Sequence, residues 1–464
     1  MNIYPFINHR NTRNFLFISF LIFLLTLTKD FGISYDEFWY RDAGFAVLNF
    51  LGESIFPEKL AELKESRNLE YFTLQKIVET APIGFKIQHT IYATIEYLFF
   101  DNSEKMTVFF ARHYLNFLMS CLMFITFYKI LRLRFDKIYS SIGLIMIILS
   151  PKIFSHYYYN PNDIWAIFSA SLVIYFSLYF LKKNKIKYFY FLSFVFAFSI
   201  NTRLIFLFFY PIFLFFLFCK TKKLFDIHLL KKIFFQFFLF LLFLFLITPE
   251  LWINIFGIFY TFLNQLSFPA DSLLFFNGEH IRSSELPNYY TFFWILISTP
   301  LLYLFMFALG FYCYFLNIKK TSLDTHFMFL FLLIPTLAVL IMKPNLFNDW
   351  RHFYFLNLGI IYFATLGIEF FFNFIKNKKV LYFFTFVIFL YFFNISAWMV
   401  KNHPYQHVFF NHFAKKNYNK FDFDYWGLSN LEALKFIVNN LESKQDKVTI
   451  KAIGESKIIY AYKV

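Results

Sequence analysis

The sequence predicts an all-α polytopic membrane protein. It has 464 residues, of which 59% are hydrophobic, and its mean hydropathy is +0.53. Its apolar runs are much longer than a soluble core requires, and about 20 consecutive apolar residues suffice to cross a bilayer as a helix. The 79 Phe residues occur together with abundant Ile, Lys, Asn and Tyr, the composition that an AT-rich genome produces. The Phe content therefore indicates no cofactor.

The apolar segments predict about eleven membrane spans. The first runs from Asn14 to about Phe31, and because no small-residue cleavage pattern follows it, we expect an uncleaved anchor. The others are expected at residues 107–131, 138–154, 164–181, 187–202, 204–219, 233–248, 291–316, 326–342, 352–374 and 380–398.

The distribution of positive charge predicts the orientation in the membrane. The net charge is +15, but Lys and Arg are dispersed among short loops, so no nucleic-acid partner is expected. Alternate loops are rich in these residues, near positions 129–137, 182–187, 220–232, 319–320 and 376–379. By the positive-inside rule these loops and the N-terminus are cytoplasmic, which leaves the C-terminus extracytoplasmic.

Two regions outside the spans have their own predicted structure. Residues 34–105 form the first extracytoplasmic loop, in which amphipathic pieces such as Phe85–Phe100 predict helices on the membrane surface. We assign residues 1–399 to a transmembrane domain and residues 400–464 to a small extracytoplasmic α+β module. In that module, Ser429-Asn-Leu-Glu432 is a capping box that predicts a helix to about Leu441, and Lys447 to Ile453 alternates like a strand.

The cysteines and histidines predict neither a disulfide framework nor a metal centre. Cys121, Cys219 and Cys313 all fall inside apolar stretches. The histidines at 89, 113, 156, 280, 403, 407 and 412 show no metal-ligand spacing, and the chain has no Walker loop and no Gly-x-Gly-x-x-Gly motif. We therefore predict no metal and no other cofactor.

The polar residues that suit catalysis are predicted to lie on one side of the membrane. Asp36 and Glu37 follow the first span, Asp163 ends the turn Asn160-Pro-Asn-Asp163, and Arg351 stands in a later loop of the same face. Ionisable groups are costly in hydrocarbon and usually lie at its edge or against a polar cavity. This convergence predicts one extracytoplasmic site at the mouth of a helix bundle.

Each acidic residue also has a structural interpretation. Asp36 and Glu37 are compatible with an aromatic belt followed by a solvated loop, in which Asp36 caps a short helix. Asp163 is compatible with a turn that caps the next helix, and a functional and a capping role can coexist there.

The cations on this face have structural alternatives too, as interfacial side chains or as partners of carboxylates. We favour that interpretation for Arg41 and Lys343. Arg351 and Arg203 differ, since they are rare arginines on the face that the positive-inside rule depletes, which indicates a specific role.

Three motifs together resemble the GT-C membrane glycosyltransferases, in particular the protein O-mannosyltransferase and lipid A aminoarabinose transferase group. They are the Asp36-Glu37 pair, Ser150-Pro-Lys-Ile-Phe-Ser-His-Tyr-Tyr-Tyr-Asn-Pro-Asn-Asp163, and Asp349-Trp-Arg-His-Phe-Tyr-Phe355. The stretches at 402–411 and 423–427 resemble the tail of a bacterial branch of that group. The resemblance implies a bacterial inner (plasma) membrane enzyme that uses a sugar donor carried on a polyprenyl phosphate or pyrophosphate. Some members of the superfamily bind a divalent metal beside the acidic motifs.

The resemblance also implies roles for individual residues. Asp36 matches the general base of an inverting transfer, Glu37 its partner, and Asp163 a residue that orients the acceptor or the base. Chemistry agrees, because a carboxylate must take the proton of the acceptor and cations must stabilise the leaving lipid phosphate. The candidates for binding that phosphate are, in order, Arg351, His352, Arg203 and Lys343, with Arg41 a weaker choice. The resemblance does not determine whether the acceptor is a protein, lipid A or a surface glycan.

The main alternative is a transporter or flippase of a lipid-linked saccharide. Such a protein would need charged residues near the bilayer midplane, interrupted helices and an internal repeat. This chain instead has its carboxylates at one boundary and no obvious repeat. A non-enzymatic membrane scaffold is a third interpretation, but it would not require Asp36, Asp163 and Arg351 on one face.

Overall fold

The computed structural model describes residues 10–55, 86–100, 104–222, 226–253 and 272–440, together with positions 58, 255 and 256. Within these residues the chain is almost entirely helical, and a single hairpin forms its one sheet. The predicted strand at Lys447 to Ile453 lies outside the described residues.

The helices of the first half of the chain alternate long spans with short turns. They are α1 (Arg10–Thr26), α2 (Glu37–Ile55), α3 (Ile87–Phe99), α4 (Lys105–Arg134), α5 (Lys137–Ile148), α6 (Pro151–Phe154), α7 (His156–Tyr159), α8 (Pro161–Lys183), α9 (Ile186–Thr202), α10 (Phe209–Thr221), α11 (Ile227–Ile247) and α12 (Glu250–Ile253). A 3₁₀ segment, Leu204–Phe208, leads directly into α10.

The second half begins with the hairpin and ends beyond the last span. Its elements are β1 (Leu273–Phe276), β2 (Glu279–Arg282), α13 (Tyr290–Ser298), α14 (Leu301–Leu316), α15 (Leu323–Met342), α16 (Asn357–Phe374), α17 (Lys378–Lys401) and α18 (Asn430–Asn439). The strands pair antiparallel with Leu273 opposite Arg282. The 3₁₀ segment Arg351–Leu356 precedes α16 and carries the predicted arginine motif.

All the predicted spans overlap helices, but not every one of these helices is long enough to cross a bilayer. Among the described residues, seven helices are long and apolar enough, or up to nine if each of two bent helix pairs is one span. The predicted first span and the span at 187–202 correspond to helices of 17 residues each. A polytopic, helical membrane protein is therefore confirmed, while the count of eleven stays a prediction.

Helices α4 and α8 fix the long axis of the bundle. Both begin near the predicted site and both end in basic residues, Arg132 and Arg134 in α4 and Lys182 and Lys183 in α8. The 30 residues of α4 extend about 45 Å. At the far end, the Lys182 ammonium lies 2.6 Å from the carboxylate of Asp324. The basic residues predicted to be cytoplasmic in these two helices thus lie at the end of the bundle opposite the acidic motifs.

Close packing holds the second half of the bundle together. Helices α14 and α16 approach so closely that a Cβ added at Gly310 would overlap the carbonyl oxygen of Phe363, and one at Gly367 would overlap that of Met306. Small residues at helix crossings are typical of membrane proteins, because van der Waals contact between backbones replaces the hydrophobic effect there.

The first part of the predicted C-terminal module shares the core of the bundle. Phe409, Phe421, Trp426 and Leu428 belong to the same buried cluster as the membrane helices. Helix α18 begins one residue after Ser429, as the capping box predicts, but the Ser429 hydroxyl donates to a carboxylate oxygen of Asp424 at 2.6 Å. The division of the chain at residue 400 stays a prediction.

Candidate active site

Asp36 and Arg351, which are 315 positions apart in the sequence, form an ion pair in the structure. The guanidinium Nη2 of Arg351 lies 3.1 Å from Oδ2 of Asp36. The hydroxyl of Tyr40, one helical turn further along α2, donates to the same oxygen at 2.9 Å. The Asp36 side chain remains 22% exposed. Asp36 is therefore a carboxylate that is oriented by two partners and still accessible to a substrate.

The Arg351 guanidinium is buried among aromatic rings. Its Cζ atom lies 4.5 Å from the ring centroid of Trp426, 5.4 Å from that of Tyr425 and 5.6 Å from that of Phe347. Within the described residues, its Nε and Nη1 atoms make no hydrogen bond. A buried donor without an acceptor is costly. These two nitrogen atoms are therefore suited to donate to an anionic ligand.

Asp163 lies in a more enclosed setting than Asp36. Its side chain is 1% exposed and pairs with the guanidinium of Arg203. The side-chain amide of Asn160 donates to Asp163 at 2.6 Å and to Nδ1 of His156 at 3.0 Å. The oxygen of the same amide accepts the backbone N–H of Asp163, so Asn160 caps α8. Asp163 thus occupies the first turn of α8 and is held from two directions.

Lys86 is a site cation that the sequence analysis missed. It precedes α3 and is buried. Burial and the neighbouring charge of Arg203 lower its pKa to about 7, although Asp163 and Asp36 act in the opposite direction. The backbone N–H of the next residue, Ile87, donates to the side-chain oxygen of Asn201, two positions before Arg203, at 2.8 Å. Lys86 therefore lies beside the segment that carries Arg203, and Arg351 also acts on its charge. Its position within the apolar run Ile83-Gly-Phe-Lys-Ile87 is the only sequence signal.

Tyr40 of α2 is also influenced by both acidic residues, Asp36 and Asp163. Burial and the adjacent charge of Asp36 raise its pKa well above the ordinary value, and Asp163 contributes further. Its ring stacks on that of His89 in α3, with centroids 4.7 Å apart and planes 8° apart. Tyr40 therefore reaches Asp36 as a neutral hydroxyl whose ring position is fixed by α3.

The side chain of Glu37 points away from the Asp36–Arg351 pair. Its Oε2 lies 2.8 Å from Nε2 of His113 in α4, and its Oε1 accepts the backbone N–H of Ser34 at 2.7 Å. Both Glu37 and His113 are almost fully buried. The structure thus separates the two adjacent carboxylates, one accessible beside Arg351 and one buried at the start of α2.

The remaining predicted cations have different surroundings. Arg41 pairs with the buried carboxylate of Glu96 at 2.6 Å, which agrees with a structural role. Lys343 is exposed and ends α15 in a left-handed backbone conformation. The ring of His352 packs edge-on against Phe347, beside Arg351. Of these three, His352 is the one that contacts the surroundings of the Asp36–Arg351 pair.

A second buried polar cluster lies behind the ion pair. The hydroxyl of Tyr354 donates to Asp349 at 2.8 Å and lies 3.3 Å from Nε2 of His156. The ammonium of Lys152 lies 3.4 Å from Asp349. Burial raises the pKa of Asp349, although Lys152 acts in the opposite direction. This cluster connects the segment at 150–163 to the arginine motif.

The arrangement has the elements of a group-transfer site for an anionic substrate. An accessible carboxylate can accept a proton, and three cations, Arg351, Arg203 and Lys86, lie around two carboxylates. Within the described residues, no three His, Cys, Asp or Glu side chains form a potential metal site. The metal prediction made from the sequence is not tested by this. The fold and the site are those of a polytopic membrane protein with a cluster of carboxylates and cations at one end of its helix bundle.

Comparisons with known proteins agree with this class. The sequence profile of the family described as dolichyl-phosphate-mannose-protein mannosyltransferase matches residues 93–253. This segment runs from α3 through α12 and includes Asp163 and Arg203. The match covers 161 of the 464 residues, so over about a third of its length the chain is similar to GT-C membrane glycosyltransferases. No curated protein matches the chain.

Proposed function

We propose that this protein transfers a sugar from a polyprenyl-phosphate donor to an extracytoplasmic acceptor, with inversion at the sugar and with Asp36 as the general base. The observation that carries the proposal is the accessible Asp36 carboxylate paired with Arg351. The family match over residues 93–253 supports the donor class. The enzyme works in the bacterial inner membrane, with a cytoplasmic N-terminus and an extracytoplasmic C-terminus.

In the proposed reaction, Asp36 takes the proton of an acceptor hydroxyl. The acceptor oxygen then forms a bond to the anomeric carbon, and the bond from that carbon to the phosphate oxygen breaks. The products are the glycosylated acceptor and polyprenyl phosphate. Tyr40 orients the carboxylate through its hydrogen bond to Oδ2. Glu37 supports the base indirectly, because its pairing with His113 fixes the start of α2.

The leaving phosphate requires positive charge, since charge accumulates on its oxygens as the bond breaks. Arg351 has two buried donors without a partner among the described residues, and Arg203 has one, its Nε. Lys86 adds a third cation, and His352, the residue after Arg351, adds a further hydrogen-bond donor. Asp163 holds Arg203 and thereby positions it for the phosphate. Lys343, exposed at the end of α15, has a lesser role in donor binding than these residues.

A transporter of lipid-linked saccharides remains the alternative, and bond formation distinguishes the two. Purified protein in detergent micelles has no two sides to transport between, so only an enzyme can give a glycosylated product there. We expect release of polyprenyl phosphate from polyprenyl-phosphate mannose when acceptor-containing membrane extract is added. A chain that binds the donor but forms no product with any extract would contradict the proposal.

The sugar and acceptor can be identified in cells. Mass analysis of surface glycans, glycoproteins and lipid A, with and without the gene, should show the loss of a single sugar from one class of molecule. Complementation with the wild-type gene should restore that sugar. An unchanged envelope in the strain without the gene would contradict a role in envelope glycosylation.

A further inference from the structure

We propose that the loop from Asp424 to Gly427 completes the active site, and that Trp426 is the residue that positions Arg351 against Asp36. The inference rests on the proposed function, in which Arg351 binds the donor phosphate. The loop lies beyond the last span, and the family match at 93–253 does not include it. It therefore adds to the site a part of the chain outside the matched segment.

Trp426 contacts all three segments that build the site. Its carbonyl oxygen accepts the backbone N–H of Tyr35, the residue before Asp36, at 3.0 Å. Its indole ring lies against the Arg351 guanidinium at 4.5 Å. The same ring packs edge-on against His156 at 5.4 Å and is tilted against Tyr159 at 5.7 Å, in the turn before Asn160. One buried residue thus joins the first acidic loop through its backbone, and the second acidic loop and the arginine motif through its side chain.

A hydrogen-bond network fixes the conformation of this loop. The Asp424 carboxylate accepts from Nε2 of His407 at 3.1 Å, from the backbone N–H of Leu428 at 3.1 Å and from that of Ser429 at 2.8 Å. Burial alone would raise the pKa of Asp424, but the hydrogen bonds from His407 and Ser429 lower it to about 2. Asp424 therefore stays ionised and keeps the loop closed at any physiological pH.

The turn that follows depends on a glycine. Gly427 has a φ of +67°, in the left-handed region that side chains with a Cβ rarely adopt. Its N–H donates to the carbonyl oxygen of Asp424 at 3.1 Å, which closes the turn around Trp426. The turn and the hydrogen bonds of Asp424 together fix the distance between the indole of Trp426 and the guanidinium of Arg351.

The orientation of the Arg351 guanidinium must be fixed, because its nitrogen atoms have different partners in the proposed reaction. Nη2 pairs with Asp36, while Nε and Nη1 must stay free to reach a phosphate. An indole on one face of the guanidinium restrains its rotation and keeps water from that face, which strengthens the charge interaction on the other. Trp426 acts through Arg351, so it is a positioning residue and not a catalytic one.

The test compares two substitutions of Trp426 with one of a tryptophan elsewhere. Trp426→Leu removes the aromatic face, and Trp426→Phe keeps a smaller one. Trp398→Leu removes an indole of α17 that packs on Phe409, outside the site. The measurements are the affinity of the purified full-length protein for polyprenyl phosphate, the KM for polyprenyl-phosphate mannose, kcat and the thermal midpoint.

We expect Trp426→Leu to weaken polyprenyl phosphate binding about fivefold to thirtyfold, in line with a cation–π contact in a desolvated site. The donor KM should rise in parallel, Trp426→Phe should recover most of the affinity, and Trp398→Leu should bind as the wild type does. A purely structural role would instead lower the thermal midpoint of both leucine variants alike and leave the affinity of the folded fraction unchanged.

The outcomes separate this inference from the proposed function. If the wild type does not bind polyprenyl phosphate, the proposed function fails. If the wild type binds it and folded Trp426→Leu binds it equally well, the role of Trp426 is wrong while the proposed function stands. Should Trp426→Leu not fold, Gly427→Ala decides, because it strains the turn without removing the indole. We expect a smaller loss of affinity in Gly427→Ala, and wild-type affinity there would overturn the inference.

Discussion

At the level of single residues, exposure distinguishes the two acidic positions. The Asp36 side chain is 22% exposed, whereas that of Asp163 is 1% exposed and is already engaged by Arg203 and Asn160. A general base must reach the proton that it removes. Asp36 can do so without rearrangement, and Asp163 is better suited to hold Arg203 in place.

Replacement of Arg351 should impair use of the donor. Arg351→Ala removes a charge-assisted contact to the phosphate, which contributes about 1.5–3 kcal/mol, and it also removes the cation that orients Asp36. We therefore expect transfer at subsaturating donor to fall at least tenfold. The measurement is the initial rate of sugar transfer by the purified protein at a fixed low donor concentration.

The control for this variant is Lys183→Ala. Lys183 is an exposed cation in the last turn of α8, at the other end of the bundle. Its loss should leave the transfer rate unchanged. Equal rates for the two variants would remove Arg351 from the site.

Lys86 should give donor binding a distinctive dependence on pH. Its pKa of about 7 means that it is largely protonated below pH 7 and largely neutral above it. A neutral lysine attracts a phosphate less, so the affinity for polyprenyl phosphate should fall as the pH rises from 7 to 9. Lys86→Arg keeps its charge throughout this range and should bind with little change. The measurement is a titration of polyprenyl phosphate binding at several pH values.

The contribution of Lys86 to stability has the opposite sign, so unfolding linked to this group cannot cause the loss of affinity. Between pH 7 and its ordinary pKa of 10.5 the unfolded chain binds the proton that folded Lys86 has lost. Stability contributed by this group therefore increases as the pH rises through that window. An affinity that stays constant from pH 7 to 9 in the wild type would place Lys86 outside the donor site.

At the level of secondary-structure elements, the packing of α2 against α3 determines where Lys86 and Tyr40 lie. A Cβ added at Gly44 in α2 would overlap the carbonyl oxygen of His89 in α3. Gly44→Ala should therefore push the two helices apart, lower the thermal midpoint and weaken donor binding, since Lys86 directly precedes α3. Thermal unfolding and polyprenyl phosphate binding of the purified variant measure both effects.

Gly143→Ala in α5 serves as the comparison. A Cβ there would meet side-chain atoms of Thr365 and Leu131 at 2.6 and 2.7 Å and no backbone atom, a less severe overlap than that with the carbonyl oxygen of His89. Its effect on stability should be smaller and its donor affinity unchanged. If both alanine variants bind the donor as the wild type does, the α2–α3 contact does not position the site.

The sequence predicted the helices well because hydrophobic length alone defines them. Each predicted span overlaps a helix, but apolar length did not show the bends of 66° and 118° in two helix pairs. It also did not show that Asn160, rather than Asp163, caps α8. The cap is a local bond between residues three positions apart, and because Asn and Asp are both favoured N-caps, the residue pattern alone did not decide between them.

The same limit applies to the site. The placement of acidic and basic motifs on one face predicted the meeting of Asp36 with Arg351, since loops on one side of a bundle can converge. Only its place in the apolar run 83–87 distinguished Lys86 from the other lysines of the first loop, and no pattern distinguished Trp426 from other aromatic residues of the tail. Their roles arise from burial and from contacts across the chain, which local patterns do not encode.

At the level of the whole molecule, the separation of charge predicts the topology. The acidic motifs lie at one end of α4 and α8, and basic clusters lie at the other. By the positive-inside rule we expect the basic end to face the cytoplasm. Reporter fusions after residue 400 should therefore show an extracytoplasmic C-terminus. Activity there of a reporter that works only in the cytoplasm would reverse the orientation of the site.

Asp36→Asn decides whether Asp36 accepts the proton of the acceptor. Asn keeps the shape of Asp and much of its hydrogen-bonding capacity, but it cannot serve as the base. Loss of a general base costs about two to four orders of magnitude in rate. The matched control is Asp136→Asn, which makes the same change at the cap of α5, where Asn caps as well as Asp.

The decisive measurement is the rate of sugar transfer by the two purified, folded variants at saturating donor. We expect Asp36→Asn to retain no more than about a hundredth of the wild-type rate and Asp136→Asn to retain nearly all of it. Glu37→Gln should be affected less than Asp36→Asn, because Glu37 pairs with His113 and not with Arg351. If Asp36→Asn transfers sugar within about threefold of the wild type, well short of the loss of a general base, Asp36 is not the base.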